Sequence, residues 1–291
     1  MTRLSQRIGS GLCLTALLLV VSFWAPSLSI CALLCAIATV ALSEFYRLPT
    51  ALAIPSFQIM GIVAGILIIA GTWLSFTLKT ATLVYEHELL ILFVTIIAIL
   101  IRQFPQKNNE QPLTTIASTL FGIFYVPFLF NYFTKLAFTW ECPSWLGPLG
   151  PTGRLLVLYL IAVVKITDIG AFVIGSRLGR HKLIPRISPN KTWEGFIGGV
   201  IAGWLASLGF YLLLDGQFGL ISMSIYDALI LGILLPLAGM VGDLTESMLK
   251  RAANSKDAGQ LIPGMGGALD LLDSLLFGAP ALYMYTKILL A

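Results

Sequence analysis

LLVLYLIAVVKITDIGAFVIGS, residues 155–176, holds two ionisable side chains, Lys165 and Asp168, in an otherwise apolar or small-residue run. A bilayer-spanning helix needs roughly 20 such residues. The stretch therefore reads as a transmembrane helix with a charge pair inside it. The i, i+3 spacing suits a buried structural ion pair. It equally suits an Asp168 that faces a polar cavity and orients a substrate or a basic ligand.

Eight further apolar runs flank it, at 8–24, 28–43, 52–75, 88–104, 113–133, 193–214, 225–242 and 272–290. The composition agrees, since 291 residues with 57% hydrophobic and only 11% charged side chains fall far below the roughly 25% charge of a soluble domain. The expectation is an all-α, polytopic integral membrane protein with about nine transmembrane helices. The first two runs, joined at WAPSLS, read as a tilted hairpin. The N-terminus has the basic start and apolar core of a signal peptide, but no small-residue cleavage site follows Trp24. A first transmembrane helix is the better reading.

With the N-terminus in the cytoplasm, thirteen Lys and Arg residues fall in inside segments and four in outside ones: Lys79, Lys135, Arg154 and Lys287. That bias sets the orientation by the positive-inside rule. It puts the polar segments 177–192 and 243–273 on the cytoplasmic side. A cell (inner) membrane location with the active site facing the cytoplasm follows. The net charge of +4 reports those loops and not nucleic-acid binding. Cys13, Cys31 and Cys35 lie in apolar runs, so Cys142 has no loop partner and no disulfide framework is expected. Two histidines and no CxxC argue against zinc. There is no P-loop and no GxGxxG. One integral domain, 1–291, is the simplest division. Residues 1–150 have few ionisable groups and none that cluster, and read as scaffold; 155–291 read as catalytic.

The densest charge is in DLTESMLKRAANSKDAGQLIPGMGGALDLLD, residues 243–273, with five of the fourteen acidic residues of the chain. Ionisable groups are expensive near a bilayer, so this density points to function. Asp243, Glu246, Ser247 and Lys250 form one stripe of a helix. A Glu246–Lys250 salt bridge at a helix end explains part of it, but leaves Asp243 over. Asp270 and Asp273 sit one turn apart after a glycine turn. The amides around Gly266 and Gly267 suit phosphate or carboxylate binding, and helix capping accounts for one aspartate better than for two. Asp243, Asp270 and Asp273, with Glu246, make a hard-oxygen set suited to Mg²⁺. Lys250, Arg251 and Lys256, beside Asp257, would neutralise a polyphosphate, or form a plain basic loop. Ser188, Asn190, Lys191 and Thr192, before the run at 193, could meet phosphate at a helix start; Thr192 could equally be a plain N-cap.

These residues carry a resemblance. Ser247-x-Leu249-Lys250-Arg251, then Lys256-Asp257-x-Gly259, then Ile262-Pro263-Gly264-x-Gly266-Gly267 and Asp270-x-x-Asp273 resemble the signature of the phosphatidate cytidylyltransferases. SPNKTWEGFIGG and DIGAFVIGSRLGRHKL are similar to that family's other shared stretches. The likeness covers roughly residues 160–285. Met265 stands where the family commonly has histidine, and Leu271 where it commonly has arginine, so any contact by those side chains is lost. The resemblance implies CTP and phosphatidate from the bilayer as substrates, CDP-diacylglycerol and pyrophosphate as products, and Mg²⁺ as cofactor, with room for a second cation. Asp243, Lys250, Asp270 and Asp273 then act in catalysis. Ser188, Lys191, Thr192 and Ser247 position the lipid phosphate or the nucleotide, and Arg251 and Lys256 bind phosphates. Asp257 orients Lys256 or touches the ribose or base. Small residues in the spans allow a homodimer. Two other readings stand beside this one. One is a related CTP-using lipid kinase. The other is an ion-coupled transporter with Lys165, Asp168 and Asp243 in its path, against which the confinement of charge to one half argues.

Overall fold

The computed structural model describes residues 26–78, 84–106, 109–140, 152–255, 259 and 266–290. The helix expected at 8–24 lies outside them. The chain divides into two compact units, Met1–Thr139 with Ala252–Leu271, and Trp140–Arg251 with Leu272–Ala291.

The first unit contains α1 (Ser27–Ala51), α2 (Gln58–Thr77), α3 (Val84–Gln103), α4 (Pro112–Ile123) and α5 (Leu129–Thr139). α1 runs beyond the expected 28–43, because Pro49 falls in its last turn and disturbs only the end of the helix. The next helix starts later than expected, beyond Pro55. The run at 113–133 forms α4 and α5 joined by a π turn, Phe124–Phe128. Pro127 lies inside that turn and has no N–H to donate, which an ordinary turn would need. Ala64, Ile68, Ile91, Leu92, Ile99 and Ile123 make the buried apolar core.

The second unit contains α6 (Thr152–Leu178), the hairpin β1 (Lys182–Ile184) and β2 (Ser188–Thr192), α7 (Trp193–Leu213), the hairpin β3 (Gln217–Phe218) and β4 (Ile221–Ser222), and α8 (Ile225–Ala252). α9 (Ala268–Tyr285) ends in a second π turn, Thr286–Leu290. The segment 177–192, read as a loop, is an antiparallel hairpin in which Lys182 faces Thr192 and Ile184 faces Ser188. α8 opens on a capping box: the Ser224 amide donates to Asp227 Oδ2 at 2.8 Å and the Asp227 amide donates back to Ser224 Oγ. It then runs ten residues past the expected end at 242. At 1.5 Å per residue Asp243 lies about 27 Å along it, near the far side of the hydrocarbon.

Six of the described helical segments are long and apolar enough to cross a membrane: α1, α2, α4 with α5, α6, α7 and α8. Their outer faces stay apolar, with Phe172 75% and Leu212 73% exposed. Apolar side chains left in the open at this scale are a lipid-facing surface. The protein is an all-α polytopic membrane protein.

The expectation that no ionisable groups cluster in residues 1–150 fails. Lys135 Nζ lies 2.7 Å from Glu88 Oε2, with the two side chains 2% and 5% exposed. Asn131 donates to Glu88 Oε1 at 2.5 Å and to Thr72 Oγ1 at 2.9 Å. This network joins α2, α3 and α5. No local pattern encodes it, because Glu88 and Lys135 lie 47 residues apart and Asn131 lies 43 and 59 residues from its two partners, and Lys135 falls in an expected outside segment. Removing one charge of a buried pair strands the other. Glu88→Gln or Lys135→Met alone should therefore cost about 3–5 kcal/mol, and the double change should recover most of it. Unfolding curves in detergent measure both.

Candidate functional site

The second unit is built around a seam of small residues. Thr167, Ala171 and Gly175 on α6 face Gly203, Gly199 and Gly195 on α7, each set spaced by four. A Cβ at Gly199 would come 2.9 Å from Ala171 Cβ and 3.0 Å from Thr167 O. A Cβ at Gly195 would come 2.9 Å from Ala171 O. The two backbones touch because no side chain separates them, as is common between helices in membranes. The small residues expected to serve packing within or between chains are thus used, along this seam, within the chain.

Beside the seam lies a cavity of about 500 Å³, bounded by α6, β2, α7 and α8. Its charged side chains are Asp168, Lys191 and Asp243, with Asn190 beside them. Its remaining wall is largely apolar, with Phe172, Phe196, Val200 and Met240. β2 delivers Lys191 to the cavity, where it forms an ion pair with Asp243 of α8. Lys165 pairs with Asp168 at 3.5 Å. Asp168 is thus paired without being buried, and it lines the cavity. These pairs keep solvent access: the side chains are 25% and 32% exposed in the first, and 37% and 43% in the second.

α9 adds Asp273, which is 7% exposed. α8 and α9 meet at Gly242, where a Cβ would sit 3.0 Å from the Asp273 carbonyl carbon and 3.2 Å from the Phe277 ring. Asp273 thereby stands within electrostatic reach of Asp243, Asp168 and Lys165. Ser247 Oγ reaches Asp243 Oδ1 at 3.4 Å, one turn along α8.

Other expected site residues are engaged elsewhere. Glu246 is buried and accepts from Lys250 at 2.9 Å, which is the salt bridge that the spacing allowed. Arg251 Nε donates to Ile187 O at 3.3 Å, tying the end of α8 to the hairpin turn. Thr192 caps α7, its Oγ1 accepting from the Gly195 amide at 3.2 Å, and it also borders the cavity. Ser188 sits in β2 opposite Ile184. In the first unit Gly266 adopts φ +98° and the Gly267 amide donates to Asp270 Oδ2 at 2.7 Å. Asp270 thus caps the start of its own helix, the plain reading of that residue. Lys256, Asp257 and Met265 lie outside the described residues.

Among the described residues no three His, Cys, Asp or Glu side chains converge as a ready ligand set. The charge balance nevertheless suits a cation. Among the described residues, Asp168, Asp243 and Asp273 interact with two ammonium groups, Lys165 and Lys191, in a site walled by apolar side chains. Two carboxylates with the rest of the shell left to water and phosphate is the usual protein share of a Mg²⁺ site.

The sequence matches the Cytidylyltransferase family over residues 5–289. The chain belongs to this family. Among its relatives, an uncharacterized protein, YnbB, of Escherichia coli K12 is 34% identical over 207 residues, 69% of this chain and 64% of that protein. A phosphatidate cytidylyltransferase of Staphylococcus haemolyticus is 42% identical over 130 residues, 45% of this chain and 48% of that one. A phosphatidate cytidylyltransferase of Staphylococcus epidermidis is 36% identical over 176 residues, covering 60% and 61% of the two. The chain thus spans about half to two thirds of the length of the curated relatives it matches. The α6 and α7 backbones leave no room for a side chain at Gly199. Replacing Gly199 by Leu should therefore force α6 and α7 apart and cost about 1–3 kcal/mol, read as a lower unfolding temperature in detergent.

Proposed function

We propose that the protein transfers a cytidylyl group from CTP to phosphatidate, giving CDP-diacylglycerol and pyrophosphate. The observation that carries the proposal is the cavity of a cytidylyltransferase-family member, charged in one part and apolar in the rest, among helices with lipid-facing surfaces. A lipid phosphate needs both kinds of wall. Its headgroup meets Lys191 and Asn190, and its acyl chains meet Phe172, Phe196, Val200 and Met240.

A phosphatidate oxygen is already an anionic nucleophile, so no strong base is required. It bonds to the α-phosphorus of CTP, and the bond from that phosphorus to the bridging oxygen of pyrophosphate breaks. The task of the protein is to hold two polyanions in line and to neutralise them. Lys191 is suited to this because its half-exposed pair with Asp243 is exchangeable: an incoming phosphate takes the ammonium and leaves the carboxylate available. Asp243 and Asp273 would hold Mg²⁺, which when bound neutralises phosphate charge. Lys165 pairs with Asp168 and holds it at the cavity wall. In this reading the face is the cytoplasmic one of the cell (inner) membrane, on the side where CTP is, and the Lys and Arg bias supports that orientation. Lys135, now within a buried helix, leaves the outside count and does not weaken that bias.

Purified protein in detergent, given CTP, phosphatidate and Mg²⁺, should yield a CDP-lipid by mass spectrometry. A phosphorylated lipid alcohol as sole product would instead identify a lipid kinase, and no product from folded protein would end the proposal. Asp243→Asn and Asp273→Asn should each lower kcat by at least about 100-fold while the unfolding temperature is kept. Chelation of divalent ions should stop turnover and added Mg²⁺ should restore it.

A further inference from the structure

Glu44 belongs to no motif of the sequence, yet it is the carboxylate most firmly built into the glycine turn. It sits on α1 and is 3% exposed, between Leu42, Phe45 and Tyr46, which are buried as well. Its Oε2 accepts the Leu269 amide at 2.9 Å, across 225 residues of sequence. That amide is one of the donors a helix N-terminus leaves without an intrahelical partner. A cap normally comes from a residue just before the helix. Here it comes from another helix, so the bond fixes where α9 begins relative to α1.

The glycines nearby have this carboxylate as their reason. A Cβ at Gly267 would lie 2.7 Å from Glu44 Cδ, and one at Gly259 would lie 3.0 Å from Glu44 Cγ, with one carboxylate oxygen nearer in each case. Only Gly266 has positive φ among the described residues of the turn. Gly267 and Gly259 are needed for room and not for backbone conformation. Two side chains thus hold the start of α9: Asp270 on the Gly267 amide and Glu44 on the Leu269 amide. α9 is the helix that carries Asp273 one turn later.

We infer that Glu44 is a positioning residue for the reaction, clamping the glycine turn so that the aspartates of α9 are held in place. The inference rests on the cytidylyl-transfer reading for its kinetic consequence. Its physical basis is independent of that reading. A buried carboxylate in a membrane helix is costly and persists where its bonds offset the cost. A displacement of 1 Å in a catalytic group costs on the order of 100-fold in rate.

The test pairs kinetics with hydrogen exchange on the full chain in detergent. Glu44→Ala should lower kcat about 100-fold with KM for CTP little changed, because the group touches no substrate. Glu44→Gln keeps an acceptor for the Leu269 amide and should recover most of that loss. Unchanged kcat in Glu44→Ala overturns the inference, as does a Gln variant as impaired as the Ala variant. Should Glu44→Ala not fold, Gly267→Ala carries the test, since it leaves Glu44 in place and pushes its carboxylate aside. A fall in kcat there supports the clamp, and parental kcat overturns it. Exchange over residues 266–271 should be faster in Glu44→Ala than in the parent, with residues 193–213 unaffected; equal exchange overturns the clamp. The exchange arm reads the clamp without any substrate, so a failed reaction assignment and a failed clamp give different results.

Discussion

A carboxylate inside a membrane must find a cation or a hydrogen-bond donor, and the described chain is organised by how each one does so. Glu88 finds Lys135, Asp168 finds Lys165, Asp243 finds Lys191, Glu246 finds Lys250, and Glu44 finds a backbone amide. Exposure separates their functions. Glu88 and Lys135 are almost wholly dry, so separating them would leave an uncompensated charge and the pair stays closed. Lys191 and Asp243 keep a quarter to a third of their surface. A pair of that kind is worth little net, so either partner can exchange. The first kind of pair holds helices together, and the second kind forms a site.

The site depends on backbones that approach closely. The seam between α6 and α7 is made of Thr167, Ala171 and Gly175 against Gly203, Gly199 and Gly195. Gly242 does the same between α8 and α9 and brings Asp273 toward Asp243. Larger residues at these positions would widen the spacing and separate the charged groups. The length of α8 matters as well: at about 42 Å it exceeds the roughly 30 Å of hydrocarbon, and Asp243 lies about two thirds of the way along it.

Much of this was legible in the sequence. Apolar run length places the described helices, because a bilayer imposes a length that a soluble fold does not. Asp243 and Lys191 were legible as charges at membrane edges, and the Glu246–Lys250 bridge followed from i, i+4 spacing. The hairpin at 182–192 was not legible, since its strands are short, polar and lack period-two patterning. The Glu88–Lys135 network and Glu44 were missed because their partners come from distant helices, and no local pattern encodes such a contact. One signal was available for both, an acidic residue within an apolar run, as in ALSEFYRL around Glu44. At the glycine turn the amides of Gly267 and Leu269 are taken by side chains of the chain itself, Asp270 and Glu44.

The central claim is that an exchangeable Lys191–Asp243 pair marks a site where an α-phosphoryl group is attacked by a lipid phosphate. The most direct measurement follows the label from CTP carrying it at the α-phosphate, and separately at the γ-phosphate, into the lipid fraction of a reaction containing phosphatidate. The account predicts α-label in the lipid and γ-label in released pyrophosphate. Label from the γ-phosphate in the lipid, or none from either, would contradict it.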